Sequence, residues 1–251
     1  MTKIALVTGG SRGLGRNTAL NIARKGSDVI ITYQSHAEDA QAVVAEIKAL
    51  GRAAAAFQLD VSDVSTFAPF AQHLKVALRD RWQRDAFDYL VNNAGHGDMA
   101  SFSETTEEQF DKLINVHFKG VFFLTQKLLP LIADGGRIVN LSSGMTRIVY
   151  PGFAAYSAAK GAVEVLSVYM AKELGSRGIA VNTVAPGAIE TDFLGGAVRD
   201  SRDFNKSLAD ATVLGRVGLP DDIGPMIASL LAEENRWINA QRIEVSGGQG
   251  I

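Results

Sequence analysis

Short β-branched apolar runs alternate with longer helix-like segments along this 251-residue chain, and that rhythm restricts the folds open to it. The runs are Ile4–Val7, Val29–Tyr33, Ala53–Leu59, Phe87–Val91, Arg137–Leu141, Ile179–Val184 and Arg242–Val245. Helix-like segments lie near Gly13–Lys25, Ala37–Leu50, Val64–Arg81, Glu107–Leu131, Tyr156–Gly175 and Asp221–Leu231. Runs that are apolar throughout suit strands buried on both faces. Strand–helix alternation predicts an α/β fold with a parallel sheet flanked by helices on both faces. Right-handed crossovers make such a sheet doubly wound, with its ligand crevice at the carboxyl ends of the strands. No linker, repeat or low-complexity stretch interrupts the pattern, so residues 1–251 are expected to form a single domain of about seven strands.

One segment breaks the rhythm. Thr191–Leu219 is long, mixed in polarity and contains Gly195-Gly196, Gly215 and Gly218. Its length and its place after a strand, on the crevice side, predict a mobile flap over the substrate, with short helices.

Composition removes several function classes. The chain carries 25 basic and 27 acidic residues with no basic stripe, which argues against a nucleic-acid partner. It has no cysteine, which excludes disulfides, cysteine-ligated zinc and thiol catalysis. The histidines His36, His73, His96 and His117 are scattered in sequence without metal-ligand spacing, so no catalytic metal is expected. The apolar N-terminal run is too short for a signal peptide or membrane span, and a cytoplasmic location is the expectation.

The first strand runs directly into Thr8-Gly9-Gly10-Ser11-Arg12-Gly13-Leu14-Gly15, and a helix follows. Glycines there permit a tight turn and close approach of backbone to a pyrophosphate. The helix N-terminus adds free N–H donors and the positive end of a dipole. The spacing is G-x-x-x-G-x-G, which an ordinary glycine-rich turn also satisfies. The second strand ends in Ile31-Thr32-Tyr33-Gln34-Ser35-His36, with no acid to bond a ribose 2′-hydroxyl. Arg12 is placed to meet a 2′-phosphate and Ser35 can add a hydroxyl donor, so NADP(H) is the expected cofactor. A solvated Arg12 and a merely packed Tyr33 are the plainer alternative.

Tyr156-Ser157-Ala158-Ala159-Lys160 sits in a helix-compatible stretch, which puts the phenol and the ammonium on one face. A nearby cation favours a phenolate, which makes a tyrosine usable as a general acid or base. Taken alone, such a pair also occurs as packing beside a solvated charge. The strand Arg137–Leu141 ends at Ser142-Ser143, and Ser143 can hold a carbonyl oxygen beside the phenol. Asn115 falls inside a long helix, where Asn is a weak helix former. It marks a local distortion or a water site, or else a capped or surface amide. Met145, Phe153 and Leu194 are expected to flank an apolar pocket, and His96 is placed to reach it.

Together these motifs resemble those of the short-chain dehydrogenase/reductase family, in its compact single-domain branch, over nearly the whole chain. The turn Thr8–Gly15, the pair Asp60-Val61, the element Asn92-Asn93-Ala94-Gly95 and the segment Pro186-Gly187-Ala188-Ile189-Glu190-Thr191-Asp192 follow the family's pattern in order. So do Asn115, Ser143, Tyr156 and Lys160, which match its catalytic tetrad, and Arg216–Asp221 and Ser246-Gly247-Gly248. The resemblance implies a Rossmann-like sheet and hydride transfer between a nicotinamide and a small carbonyl or alcohol. It implies that Tyr156 is the general acid/base, that Lys160 lowers its pKa and bonds the nicotinamide ribose, that Ser143 orients the substrate oxygen, and that Asn115 holds a water. Gly9, Ser11, Arg12, Gly13, Leu14, Gly15, Tyr33 and Ser35 would hold the cofactor on this pattern. Asp60-Val61 would meet the adenine, Asn93, Ala94 and Gly95 the adenosine-ribose path, and Pro186, Gly187, Ile189 and Thr191 the nicotinamide end. The pattern is most similar to 3-oxoacyl-carrier-protein reductases and to sugar or secondary-alcohol dehydrogenases. Family members are usually tetramers or dimers, and Val116, Phe118, Val121, Phe122, Val165, Val168, Tyr169 and Met170 widen the apolar faces of two long helices, as pairing in a homotetramer or homodimer, or burial within the monomer, would require. A non-catalytic dinucleotide-binding redox sensor is the competing expectation.

Overall fold

A computed structural model describes residues 2–251. Seven strands form one parallel sheet: β1 (Ile4–Val7), β2 (Asp28–Tyr33), β3 (Ala54–Gln58), β4 (Phe87–Asn92), β5 (Ile132–Leu141), β6 (Ala180–Pro186) and β7 (Arg242–Val245). Their spatial order is β3-β2-β1-β4-β5-β6-β7. The chain reverses direction of winding between β1 and β4, and that switch point is where an open α/β sheet leaves its crevice.

Why the strands read as unbroken apolar runs is visible in β1. Its side chains alternate between two cores. Ala5 and Val7 join Val29, Ile31, Val91 and Val139 on one face, beneath α1 (Gly13–Arg24), α2 (Ala37–Ala49) and α9 (Pro220–Leu230). Ile4 and Leu6 join Ile30, Leu90, Ile138 and Val181 on the other, beneath α3 (Phe67–Trp82), α5 (Gly120–Leu128) and α6 (Ala154–Leu174). Each such fully buried Leu, Ile or Val contributes roughly 1.5–3 kcal/mol. The edge strand β7 is only half-buried along its length.

Two elements differ from the sequence expectation, and a third, the 191–219 excursion, carries the short helices expected of it. Strand β5 begins at Ile132, because Ile132 already pairs with Phe87 before the register shifts and resumes at Tyr89 and Arg137. Gly135, at φ 74°, turns the backbone inside that irregularity, where Ala133–Gly136 breaks the apolar run. The expected helix Glu107–Leu131 is interrupted. It comprises α4 (Glu107–Ile114), a π-helical segment Asn115–Lys119, α5 and a closing 3₁₀ turn Leu129–Leu131. Between Thr191 and Leu219 the chain makes a 3₁₀ turn Phe193–Gly196 and two short helices, α7 (Ala197–Asp200) and α8 (Arg202–Asp210). This excursion is closed at its base, where Gly218 N–H donates to the Ala188 carbonyl and Glu190 N–H donates back to the Gly218 carbonyl. Among the described residues, no helix is long and apolar enough to cross a membrane.

Candidate active site

The glycine-rich turn is shaped so that side chains do not fit. Gly9 and Gly13 take φ values of 64° and 54°, in the left-handed region that favours glycine. A Cβ on Gly15 would lie 2.1 Å from the Gly9 carbonyl oxygen and 2.5 Å from Asn93 Nδ2. The turn is braced from β4: Asn93 Nδ2 donates to the Thr8 carbonyl at 2.9 Å, and the N–H groups of Asn93 and Ala94 donate to Thr8 Oγ1 at 2.9 and 3.0 Å. Asn93, expected along the adenosine-ribose path, thus spends its side chain holding the turn. Helix α1 starts after Arg12 with no side-chain cap and no acid in its first turn. Its leading N–H groups keep their capacity for an anion. Ser11 is buried and Leu14 packs on the core under α1.

At the end of β2, Tyr33 is half-buried and Ser35 is exposed. Asp60 is committed to its own surroundings: Oδ1 accepts from Ser62 N–H at 2.8 Å, and Oδ2 from Gln34 Nε2 at 2.9 Å. Burial pulls its pKa up, but those hydrogen bonds outweigh burial and hold it below the ordinary value. Arg12 is not simply solvated. It lies 3.7 Å from Asp192, which also pairs with Arg199. Thr191 faces Gly13 across the crevice, since a Cβ on Gly13 would come 3.8 Å from it. Gly187 N–H donates to the Val245 carbonyl and Ile189 is buried, so Pro186–Thr191 leaves β6 along the wall opposite the glycine turn.

Helix α6 presents Tyr156 and Lys160 one turn apart, only 6 % and 5 % exposed. Lys160 Nζ lies 5.8 Å from the Tyr156 ring centroid and donates to the Leu141 carbonyl at 2.7 Å. Burial pushes the phenol up to about 12, with the Ser143 hydroxyl pulling the other way. Burial pushes the Lys160 ammonium down to about 7. Burial is the largest influence on the phenol and outweighs the Ser143 hydrogen bond. The ammonium is itself desolvated and its proton is engaged by a backbone carbonyl, so burial dominates the phenol. Ser143 ends β5's crevice side, with Oγ accepting from Met145 N–H at 3.2 Å. Asn115 opens the π segment, and its carbonyl accepts from Gly120 N–H five residues on. The local distortion that the sequence left open for Asn115 is present; π segments of this kind concentrate at functional sites.

The depressed Lys160 carries a stability consequence with a definite sign. Between about 7 and the ordinary 10.5, the unfolded chain holds a proton that the folded chain does not. Stability therefore rises with pH across that window, and burying the charged form costs most below it. Melting of the ligand-free protein relative to Lys160→Met should show wild type gaining ground between pH 6.5 and pH 9, an interval set by that window. Parallel curves for the two proteins would remove the depressed ammonium.

Around Tyr156 the structure assembles residues from four places. Phe193 packs 5.6 Å from its ring and His117 5.1 Å edge-on. His96 stacks on His117 at 5.3 Å, and Phe153 is buried just before α6. Leu194, at φ 53°, closes on Gly97, where a Cβ would meet it at 2.6 Å. Met145 follows Ser143 in a 3₁₀ turn. The sequence expectation missed His117 and Phe193, and it took the histidines as scattered. His96 and His117 meet only because β4's loop and the π segment fold together. Also missed was the support behind Ser143. Glu164 accepts from Ser142 Oγ at 2.6 Å, Thr146 Oγ1 at 2.9 Å and Arg242 Nε at 2.7 Å, while Arg242 Nη2 donates to the Ser143 carbonyl at 3.3 Å. Among the described residues no His/Cys/Asp/Glu cluster could hold a metal ion.

Known proteins are similar to this chain over nearly their full lengths. A family model described as Enoyl-(Acyl carrier protein) reductase matches residues 9–249. The 3-oxoacyl-[acyl-carrier-protein] reductase FabG of Staphylococcus aureus is 39 % identical over 251 residues, covering 99 % of this chain and 98 % of the relative. The promiscuous reductase LugOII, which catalyses keto-reduction at C1 during lugdunomycin biosynthesis, superposes with a TM-score of 0.93 at 37 % identity, over 99 % of this chain and 98 % of its own. The angucycline C-6 ketoreductase LanV with bound NADP gives a TM-score of 0.93 at 36 % identity, over 98 % and 95 %. With the same fold and near-complete coverage by these relatives, the chain belongs to the short-chain dehydrogenase/reductase family of oxidoreductases.

Proposed function

We propose that the chain is an NADP(H)-dependent reductase that interconverts a carbonyl and a secondary alcohol on a small, partly apolar molecule, with Tyr156 as its general acid/base. The observation that carries this is the placement of Tyr156, Lys160 and Ser143. All three are buried and adjacent, at the crevice end of β5 and across from a turn that excludes side chains. The turn fits a dinucleotide: glycine leaves room for a pyrophosphate, and the uncapped start of α1 offers it donors. LanV's bound NADP supports the choice of cofactor, as does the absence of an acid at the end of β2.

When bound, the nicotinamide would supply hydride to the carbonyl carbon. Ser143 would hold the carbonyl oxygen beside the phenol. Tyr156, with a pKa near 12, keeps its proton at neutral pH and can donate it as charge develops on that oxygen. Lys160, near 7, can exchange its proton close to neutrality and restore the phenol, with Asn115 holding a water on the path to solvent. In the alcohol-oxidising direction the phenol must first lose its proton, so that rate rises with pH. Gly9–Gly15, Tyr33, Ser35, Asp60-Val61, Ala94, Gly95 and Pro186–Thr191 would line the cofactor. His96, Met145, Phe153 and Leu194 would face the substrate. The 191–219 excursion would act as a flap. Exposed Phe122, Phe123, Val165, Val168 and Tyr169 would bury against further copies in a homodimer or homotetramer.

Loss of NADPH absorbance with a panel of ketones, acyl thioesters and sugars tests the reading; no substrate-dependent oxidation across the panel would leave the sensor alternative. Arg12 carries the NADP preference. Arg12→Ser should lower kcat/KM for NADPH by roughly ten- to a hundredfold, the worth of a charge-assisted contact, and leave NADH use nearly unchanged. Equal losses with both cofactors would instead assign Arg12 to its ion pair with Asp192.

A further inference from the structure

Two stacked imidazoles have no proton-transfer role in the proposed mechanism, His117 buried and His96 half-buried. His117 is 1 % exposed, inside the π segment, with its ring edge against Tyr156. His117 Nε2 lies 2.7 Å from the His96 carbonyl oxygen. A carbonyl only accepts, so Nε2 carries the hydrogen and Nδ1 holds a free lone pair. That Nδ1 is buried without a protein partner, and so is Nε2 of His96. A buried polar atom left unpaired is costly, and two of them in one stack leave a place for a ligand's polar group.

The stack is held in place. The His117–His96 carbonyl bond fixes the loop after β4, and the rings lie 5.3 Å apart, tilted by 33°. Gly95 makes room for it, since a Cβ there would fall 2.6 Å from His117 Cε1. Phe193 and Phe153 leave the surrounding wall apolar. Burial, with help from Lys160, pushes both rings towards the neutral form. A neutral imidazole with an unpartnered nitrogen suits a hydroxyl better than a carboxylate.

We propose that His96, oriented by His117, is a specificity-determining contact for a ketone that bears a hydroxyl group at a distance from its reacting carbonyl. The proposal rests on the reductase reading and adds to it the substrate class. His96 touches the hydroxyl, and His117 is a positioning residue that acts through His96.

The test uses acetophenone and its meta- and para-hydroxy derivatives, in which the hydroxyl cannot fold back onto the carbonyl. In wild type, kcat/KM with NADPH for the better hydroxyketone should exceed that for acetophenone by roughly tenfold, the effect of one hydrogen bond. His96→Phe keeps a stacking ring and should bring that ratio to about one, whatever the absolute rates. His117→Phe, which loses the donor to the His96 carbonyl, should lower the ratio in the same direction. A wild-type ratio of one or below overturns the proposal, and so does an unchanged ratio in His96→Phe, which would leave only a packing or water-binding role. If wild type reduces none of the three ketones the proposal also falls. The wider ketone panel then shows whether the reductase reading falls with it.

Discussion

Replacing Tyr156 with phenylalanine lowers kcat for ketone reduction by roughly a hundred- to ten-thousandfold, the range supplied by a positioned general acid, while NADPH still binds. The change removes one oxygen. The ring stays between His117 at 5.1 Å and Phe193 at 5.6 Å, so the buried wall keeps its shape. What is lost is the proton that burial keeps on the phenol through neutrality, at a pKa near 12. Steady-state rates with a fluorescence titration of NADPH in parallel separate chemistry from binding. A variant that binds NADPH and turns over normally would return the pair to mere packing and favour a redox sensor.

The second large effect belongs to the glycine turn. Gly15→Val should abolish measurable NADPH binding and destabilise the protein by about 1–3 kcal/mol, the usual cost of overpacking. The new Cβ would fall 2.1 Å from the Gly9 carbonyl oxygen and 2.5 Å from Asn93 Nδ2. The first of these is backbone, and the second is already hydrogen-bonded to Thr8. Neither can retreat without opening the turn and tilting the N–H groups at the start of α1 away from a phosphate. Gly161→Ala is the matched control. It lies within α6 with nothing within 4 Å of an added Cβ, and it should leave binding intact and stability equal or slightly higher. Thermal melting and cofactor titration of the two variants decide the matter; NADPH affinity retained in Gly15→Val would detach the turn from the cofactor.

How much of this was legible follows from where the information lies. Strands such as Ile4–Val7 announce themselves because both faces are buried, so every residue must be apolar. The turn Thr8–Gly15 and the Tyr156–Lys160 pair are local in sequence, and local spacing carries them. The start of β5 was hidden, because Ala133–Gly136 breaks the apolar run while Ile132 still pairs with Phe87. Helical periodicity runs on through Asn115 without showing the π segment, which tertiary contact imposes: Gly120 lies so close to the loop after β3 that a Cβ would sit 2.2 Å from the Val61 carbonyl oxygen. The His96–His117 stack and the Arg242–Glu164 support of Ser143 join residues distant in sequence, and no spacing rule reaches them. The weight of burial on Tyr156 was hidden for a related reason. Sequence showed the ammonium beside the phenol but not how deeply both are buried.

The central claim is that a hydride from the nicotinamide and a proton from Tyr156 arrive at the same carbonyl. Reduction of an accepted ketone with NADPH deuterated at both C4 positions, followed by NMR of the product, tests it most directly. The account predicts one deuterium on the carbinol carbon of every product molecule, with Tyr156→Phe forming that product roughly a hundred- to ten-thousandfold more slowly. Product formed without deuterium on that carbon would contradict it.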